Sequence, residues 1–350
     1  VVWVPMSLTS LPKTDPTSVL RYRDGIYAVD LLTAAIVEFD FFTRLAEQPG
    51  SMEEICELMG WAPRPADVLI TLAKANGYLS EGLEGTIEPT RLAKEHLTSD
   101  SPWSLSGYYE SLKDRPIVKD FVRVLETGKP AHWSGHEDAE DDWHGAMEDE
   151  SFAVAFTAAM DCRGVFLGKA LSNFLAEDLA EKKCVLDIGG GSGVYACALV
   201  ANHPHLSGIV MERAPVDGLA KEKIAERGLA EKIEVVTADM FAGDWPKQAD
   251  VHLFSNVMHD WDVPQISELL AHSSQVLPSG GVVIIHETFL NAEKNGPLPV
   301  AEYSCILAHS TQGRCYGVGE MDALLEKAGF TDIRWFETAG DRGAIVAMKS

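Results

Sequence analysis

The sequence is poor in positive charge. Its 350 residues hold 29 Lys and Arg against 53 Asp and Glu, a formal charge of −24 at pH 7. Nucleic acids and anionic membranes are bound through positive surface, so this deficit argues against both as partners. It leaves neutral or cationic small molecules. Cysteine pattern is missing too. Cys56, Cys162, Cys184, Cys197, Cys305 and Cys315 form no Cys-x-x-Cys pair and show no zinc-ligand spacing. Most sit in apolar runs, where cysteine acts as a small hydrophobe. The expected setting is reduced and cytoplasmic. No apolar run reaches the ~18 residues of a membrane-spanning helix, so none is expected. The start, Val-Val-Trp-Val-Pro-Met, lacks the basic residues and length of a secretion signal. What remains is 46% hydrophobic residues, ordinary for a globular protein, in a chain long enough for two domains.

One stretch stands out, Val185-Leu-Asp-Ile-Gly-Gly-Gly-Ser-Gly193. An apolar strand runs into a glycine turn, where a cofactor can approach the backbone closely. The dinucleotide pattern Gly-x-Gly-x-x-Gly fits Gly189 and Gly191 but then meets Val194. Asp187, just before the turn, also counts against a pyrophosphate, which seeks N–H groups and a helix N-terminus. A cationic cofactor would favour that carboxylate. S-adenosylmethionine, with its sulfonium and ammonium, suits Asp187 beside Gly189, Gly191 and Gly193.

Strands and helices alternate through the C-terminal half. Apolar, β-branched runs at Cys184–Ile188, Gly208–Glu212, Ile233–Thr237, Val251–Asn256 and Gly281–His286 read as strands. Between them lie helical stretches such as Pro264–Leu277, with Ile266, Leu269, Leu270 and Val276 on one face. Such alternation predicts a parallel, doubly wound α/β sheet. Asp332–Thr338 and Ala344–Lys349 are separated by a turn too short for a crossover, so they should pair antiparallel. Five parallel strands and a terminal hairpin is the Rossmann-like arrangement of class I methyltransferases.

The N-terminal half reads as helical. Asp30–Gln48 carries an apolar stripe, Ser51 and Glu54 form a capping-box pattern, and Arg64–Asn76 is a further helix. A two-stranded wing follows Gly77. This winged-helix-like pattern often reads DNA. Yet residues 51–100 hold four basic residues against nine acidic ones, which repels phosphate. A dimerisation domain is the expectation. The boundaries are 1–105 for that domain, 106–175 for a helical connector contributing to the substrate pocket, and 176–350 for the cofactor-binding domain. The acidic segment Glu137–Glu150 reads as a solvated loop or as a lid with Trp143 turned inward.

Ligands of open parallel sheets bind beyond the carboxyl ends of the strands. There this chain carries Glu212, Asp239-Met240, Asn256-Val-Met-His-Asp-Trp-Asp262 and Glu287. An acid at Glu212 can take hydrogen bonds from ribose hydroxyls. Asp239 can accept from an adenine amino group, Met240 can pack on the ring, and Trp261 offers a stacking face. A free histidine titrates near neutrality, so His259 can take a proton from a hydroxyl. Glu287, on the neighbouring strand, or Asp260 can orient it and stabilise the imidazolium.

The order of the glycine loop, Glu212, Asp239-Met240, Met258-His-Asp-Trp261, Glu287 and Lys327-Ala-Gly-Phe330 resembles the plant caffeate/flavonoid-type O-methyltransferase family. More closely it resembles bacterial relatives that methylate phenolic or polyketide-derived products. The resemblance covers almost the whole chain. It implies a homodimer, no metal, a small-molecule acceptor and S-adenosylhomocysteine as a product. It also implies that Phe156 and Met160, in Phe-Thr-Ala-Ala-Met, line the pocket; Asn256, Tyr303, Ile306, Leu307, Ser310 and Cys315 are further acceptor-side candidates. Two departures stand out. Ser255 replaces a basic residue that contacts the cofactor. Cys315, in Gly313-Arg-Cys-Tyr-Gly317, replaces a second glutamate beside the histidine, and a neutral thiol cannot stabilise an imidazolium. The expected activity is methyl transfer to a hydroxyl. The alternatives are hydroxylation or decarboxylation on the same fold, or a metabolite-sensing regulator.

Overall fold

The computed structural model describes residues 5–131 and 143–350, with Trp143 and His144 described by their backbone alone. Of the proposed lid, Glu137–Glu150, residues 137–142 and the Trp143 side chain lie outside the described residues. Two compact units emerge: Val19–Asp142 with Leu290–Gly317, and Val1–Ser18 with Trp143–Phe289 and Val318–Ser350. These differ from the expected cuts at 105 and 175. The expected connector is divided. Its last helix, Glu150–Phe174, packs on the helix Val194–Asn202. The segment Leu290–Gly317 leaves the sheet, and its helix Leu298–Ser310 packs on Pro63–Ala75. No local sequence signal marks such a return.

The first unit is mainly helical. The expected helix Asp30–Gln48 is three pieces, Ala28–Thr33, a π-turn Ala34–Glu38 and Phe41–Glu47. The break falls at Asp40, whose φ of +46° is left-handed, a conformation Asp tolerates better than most residues. Its carboxylate accepts from the Thr43 hydroxyl at 2.6 Å. The turn lets Phe41 and Phe42 bury completely and brings Phe39 and Phe41 onto Trp61. The capping box is present: Glu54 N–H donates to Ser51 Oγ, and Ser51 N–H to Glu54 Oε2. Strands β1 (Leu79–Glu81) and β2 (Ile87–Pro89) pair antiparallel as the wing-like hairpin. Leu69, Leu72, Phe121, Val300 and Ala308 share one apolar core.

The second unit is the α/β half. Its strands are β3 (Cys184–Ile188), β4 (Ser207–Glu212), β5 (Ile233–Thr237), β6 (Val251–Ser255), β7 (Val282–Glu287), β8 (Phe330–Glu337) and β9 (Gly343–Lys349). They form one sheet in the order β5-β4-β3-β6-β7-β9-β8. The first five are parallel, and β9 lies antiparallel between β7 and β8. The chain winds outward from β3 in both directions, which opens a crevice beyond the ends of β3 and β6. Every residue of β3, β6 and β7 is buried, as expected of strands covered on both faces.

By length and composition, one helix among those described, Glu150–Phe174, could cross a membrane, contrary to the expectation of none. Its contacts are those of a packed helix. A Cβ at Gly164 would lie 2.3 Å from Val194 Cγ1, and one at Gly168 3.1 Å from Ala198 Cβ. Lys169, within it, donates to Asn202 Oδ1 at 2.6 Å.

Candidate active site

The glycine turn begins where β3 ends. Gly189, Gly191 and Gly193 have φ of +63°, +57° and +74°, which L side chains rarely adopt. Gly193 opens the helix Val194–Asn202. A Cβ at Gly193 would lie 3.1 Å from both Ile224 and Val210, whereas one at Gly191 would meet nothing within 4 Å. The turn is thus packed on one side and open at Gly191.

Two carboxylates flank this turn. Asp187 is buried, and its Oδ2 accepts from Ala196 N–H at 3.2 Å, while its Oδ1 is buried with no hydrogen-bond partner. Burial pushes its pKa up to about 7; the Ala196 N–H opposes this and the Glu212 carboxylate adds to it. Glu212 Oε1 accepts from Gly191 N–H at 3.0 Å, and Oε2 from Arg213 N–H at 2.8 Å. Burial raises this carboxyl as well, against the two N–H groups. Each carboxylate oxygen has a second lone pair, so Glu212 can still accept from a ligand. Asp239 Oδ1 accepts from Phe241 N–H at 2.9 Å. Met240 Sδ lies 3.8 Å from the Cβ position of Gly189. Trp261 meets Phe241 edge-on, with ring centroids 4.6 Å apart. Phe241 was not foreseen; it adjoins Asp239-Met240, and adjacency was its only signal.

At the end of β6, Ser255 Oγ lies 2.9 Å from His286 Nδ1. Burial, with Arg342 and Arg163 nearby, pushes the His286 pKa down to about 3, so the ring is neutral. Asn256 has a φ of +56° and donates to Tyr195 Oη at 3.0 Å and Ser255 Oγ at 3.2 Å. Where the family resemblance implies a basic side chain, this chain has a buried neutral network. Tyr195 and His286 escaped sequence reading because both sit in apolar runs that look like core.

His259 lies in the single turn Met258–Asp260 after β6 and is 5% exposed. Its Nδ1 is 2.5 Å from Glu287 Oε2. Glu287 Oε1 accepts from Val257 N–H at 2.8 Å and Met258 N–H at 3.0 Å. The carboxylate therefore grips both the imidazole and the backbone that carries it. An acceptor-only partner at Nδ1 assigns the proton there and makes Nε2 the basic nitrogen. Asp260 Oδ1 is 3.7 Å from Nε2, beyond hydrogen-bonding range. Of the two candidate orienters, Glu287 is the one at hydrogen-bonding distance of the ring in these contacts.

Phe156 and Met160 lie one turn apart on the helix Glu150–Phe174, and Phe156 stacks on Phe152 with centroids 6.0 Å apart. Ile306, Ser310 and Cys315 belong to the helical unit. There Cys315 is fully buried and its N–H donates to Ser304 Oγ at 3.0 Å; Ser310 is buried beside His309. Tyr303 and Leu307 belong to that unit's core, with Ile306 packed against it.

Residues 125–331 match the family model of the O-methyltransferase domain. The chain belongs to that family. It is 30% identical over 340 residues to the 3-hydroxy-5-methyl-1-naphthoate 3-O-methyltransferase of Streptomyces sahachiroi, covering 96% of each chain. Among solved structures, an O-methyltransferase family 2 protein from Planctomyces limnophilus, in complex with apigenin, superimposes with a TM-score of 0.87. That chain is 29% identical, with 98% of each covered. Human N-acetylserotonin methyltransferase in complex with S-adenosylmethionine shares the fold at a TM-score of 0.61 and 23% identity, over 97% of this chain and 100% of that one. The enzyme is an S-adenosylmethionine-dependent O-methyltransferase. Its crevice fits that cofactor. The open face at Gly191, the buried Asp187 oxygen without a partner, and the Glu212 and Asp239 carboxylates suit a cation bearing a ribose. Met240, Phe241 and Trp261 suit an adenine ring.

Proposed function

We propose that this enzyme methylates a hydroxyl of a small aromatic or polyketide-like molecule, with His259 as the base. The observation that carries the reading is the buried His259–Glu287 pair at the crevice. When bound, S-adenosylmethionine supplies a methyl carbon made electrophilic by its sulfonium. His259 Nε2 takes the proton of the acceptor hydroxyl as the oxygen attacks. Glu287 keeps the Nδ1–H in place and stabilises the imidazolium, as carboxylates do in other His-based sites. Asp187, Glu212 and Asp239 bind the donor's positive and hydroxyl groups. Phe156, Met160 and Asn256 hold the acceptor ring and exclude water. Much of the acceleration comes from holding oxygen and methyl in line, an effect worth up to ~7–11 kcal/mol in well-oriented systems. An aromatic acceptor agrees with the relatives, one named for a naphthoate and one solved with apigenin. Incubation with a phenolic panel and mass analysis of products tests this reading. A gain of one methyl, lost in His259→Ala, supports it; activity unchanged by that substitution removes His259 from the role.

The helical unit serves, in this proposal, as the homodimer interface. Val19, Tyr22 and Ile26, near its start, are 71%, 92% and 56% exposed, a cluster of large apolar groups that favours a partner surface. The cysteines among the described residues are free thiols, which agrees with a reducing, cytoplasmic setting.

A further inference from the structure

Three elements of the α/β unit meet at one carboxylate that the mechanism above does not use. Asp161 follows Met160 on the helix Glu150–Phe174. Its Oδ1 accepts from the Ser192 hydroxyl, inside the glycine turn, at 2.5 Å. Arg227, at the end of the helix Val216–Glu226, places its Nη2 at 2.7 Å and 2.8 Å from the two Asp161 oxygens. Ser192 is 3% exposed and Arg227 8%, so these contacts are largely shielded from water and salt. The same stretch of helix also packs on the helix that follows the turn, at Gly164, which admits no Cβ against Val194. On its far side the turn is held by Glu212 through the Gly191 N–H.

The turn that suits the donor is therefore bracketed by two carboxylates from different elements. One of them belongs to the helix that bears Phe156 and Met160. A hydroxyl donating to a carboxylate, with that carboxylate fixed by a guanidinium, is a charge-assisted chain stronger than a neutral contact. We propose that Asp161 is a positioning residue, fixed by Arg227, which joins the glycine turn through Ser192 to the helix Glu150–Phe174 so that binding at the turn also orders that helix. The proposal concerns the donor turn and the helix. It stands whether or not His259 is the base.

The test reads binding and exchange rather than turnover. Titration calorimetry with S-adenosylhomocysteine, and hydrogen–deuterium exchange with and without it, are measured on the full chain and on Ser192→Ala. That variant removes the link to the turn and leaves the Asp161–Arg227 pair intact, so folding is preserved. In the wild-type chain, S-adenosylhomocysteine slows exchange in residues 189–193 and also in residues 152–164. In Ser192→Ala, its dissociation constant rises about tenfold, as expected for loss of a hydrogen bond to a charged group. The slowing in 152–164 disappears while that in 189–193 remains. Asp161→Asn keeps an acceptor for Ser192 and restores part of both effects; Asp161→Ala does not. Unaltered affinity in Ser192→Ala overturns the proposal, and so does undiminished protection of 152–164. A fall in thermal stability with both readouts unmoved marks Asp161 as structural only, which overturns it too.

Discussion

The two units hold their partly and fully buried charges differently. In the helical unit, Arg64 donates to the carbonyls of Ala308, Gly313 and Gly128, at 3.1, 3.0 and 2.8 Å. Asp67 there receives Lys294 Nζ at 2.6 Å and Arg314 Nε at 3.2 Å. These charges bind the returning segment Leu290–Gly317 to the helix Pro63–Ala75, and each is met from within the protein. The α/β unit has such a pair in Asp161 and Arg227, but its strand-end carboxylates Asp187 and Glu287 accept from backbone N–H groups, and one Asp187 oxygen is met by nothing. Burial of an unpaired oxygen costs free energy. It persists where a ligand can supply the missing partner. Charge is therefore a staple around Arg64 and Asp67, and a site at the strand ends of the sheet.

The comparison can be tested by substitution. The largest effect is expected at the base: His259→Ala should lower kcat by about 10²–10⁴-fold, the usual contribution of a general base, with little change in the affinity for S-adenosylhomocysteine. Glu287→Gln should come next. It alters the partner of Nδ1 and leaves Val257 and Met258 N–H groups an acceptor. We expect a loss in kcat of about 10²-fold, from the weaker support of an imidazolium, measured alongside an unchanged fold by circular dichroism.

Arg64→Ala should act on stability instead. Losing one partner of several partly buried hydrogen bonds costs about 1–3 kcal/mol, read as a lower Tm and denaturation midpoint. If kcat in the folded fraction also fell strongly, the division between staple and site would not hold.

A pH experiment addresses the unpaired oxygen. The folded-state pKa of Asp187, about 7, lies above its ordinary value near 4. The folded state thus holds the proton more tightly, and this group's contribution to stability is present at low pH and lost as pH rises through 7. Asp187→Asn should raise Tm at pH 8, with the gain shrinking toward pH 4. In the wild type, affinity for the cationic donor should rise as pH increases through 7, because ionised Asp187 attracts it; a flat profile across that range would refute the pairing. The smallest effect is expected from His286. Its folded pKa of about 3 lies below the ordinary 6.5, so its contribution to stability is lost as pH falls below 6.5. His286→Gln should lessen the acid sensitivity of Tm.

Much of this was legible in the chain. β3 and β5 fall where the apolar runs placed them, and the other strand ends shift by one or two residues, because short strands are bounded by Gly, Pro and Asp. His259, Glu287 and the glycine turn were visible as polar or glycine residues at strand ends. Less visible were Tyr195, His286 and Asp161. Their side chains sit within apolar helices or strands, and only neighbours distant in sequence reveal what they bind. The broken helix at Asp40 was hidden because its apolar stripe continues through the turn.

The sequence by itself determined the family, the parallel sheet and the residues that gather at its crevice, because strand periodicity and turn chemistry are local properties. Tertiary structure decided three things. It made Glu287 rather than Asp260 the partner of His259, since parallel pairing sets β7 beside β6. It aimed Glu212 at the N–H of Gly191 in the turn and Asp187 at the N–H of Ala196 in the helix that follows. It placed Cys315 in the helical core through the return of Leu290–Gly317. Each depends on which distant segments pack together, and burial of apolar surface drives that packing without leaving a local mark.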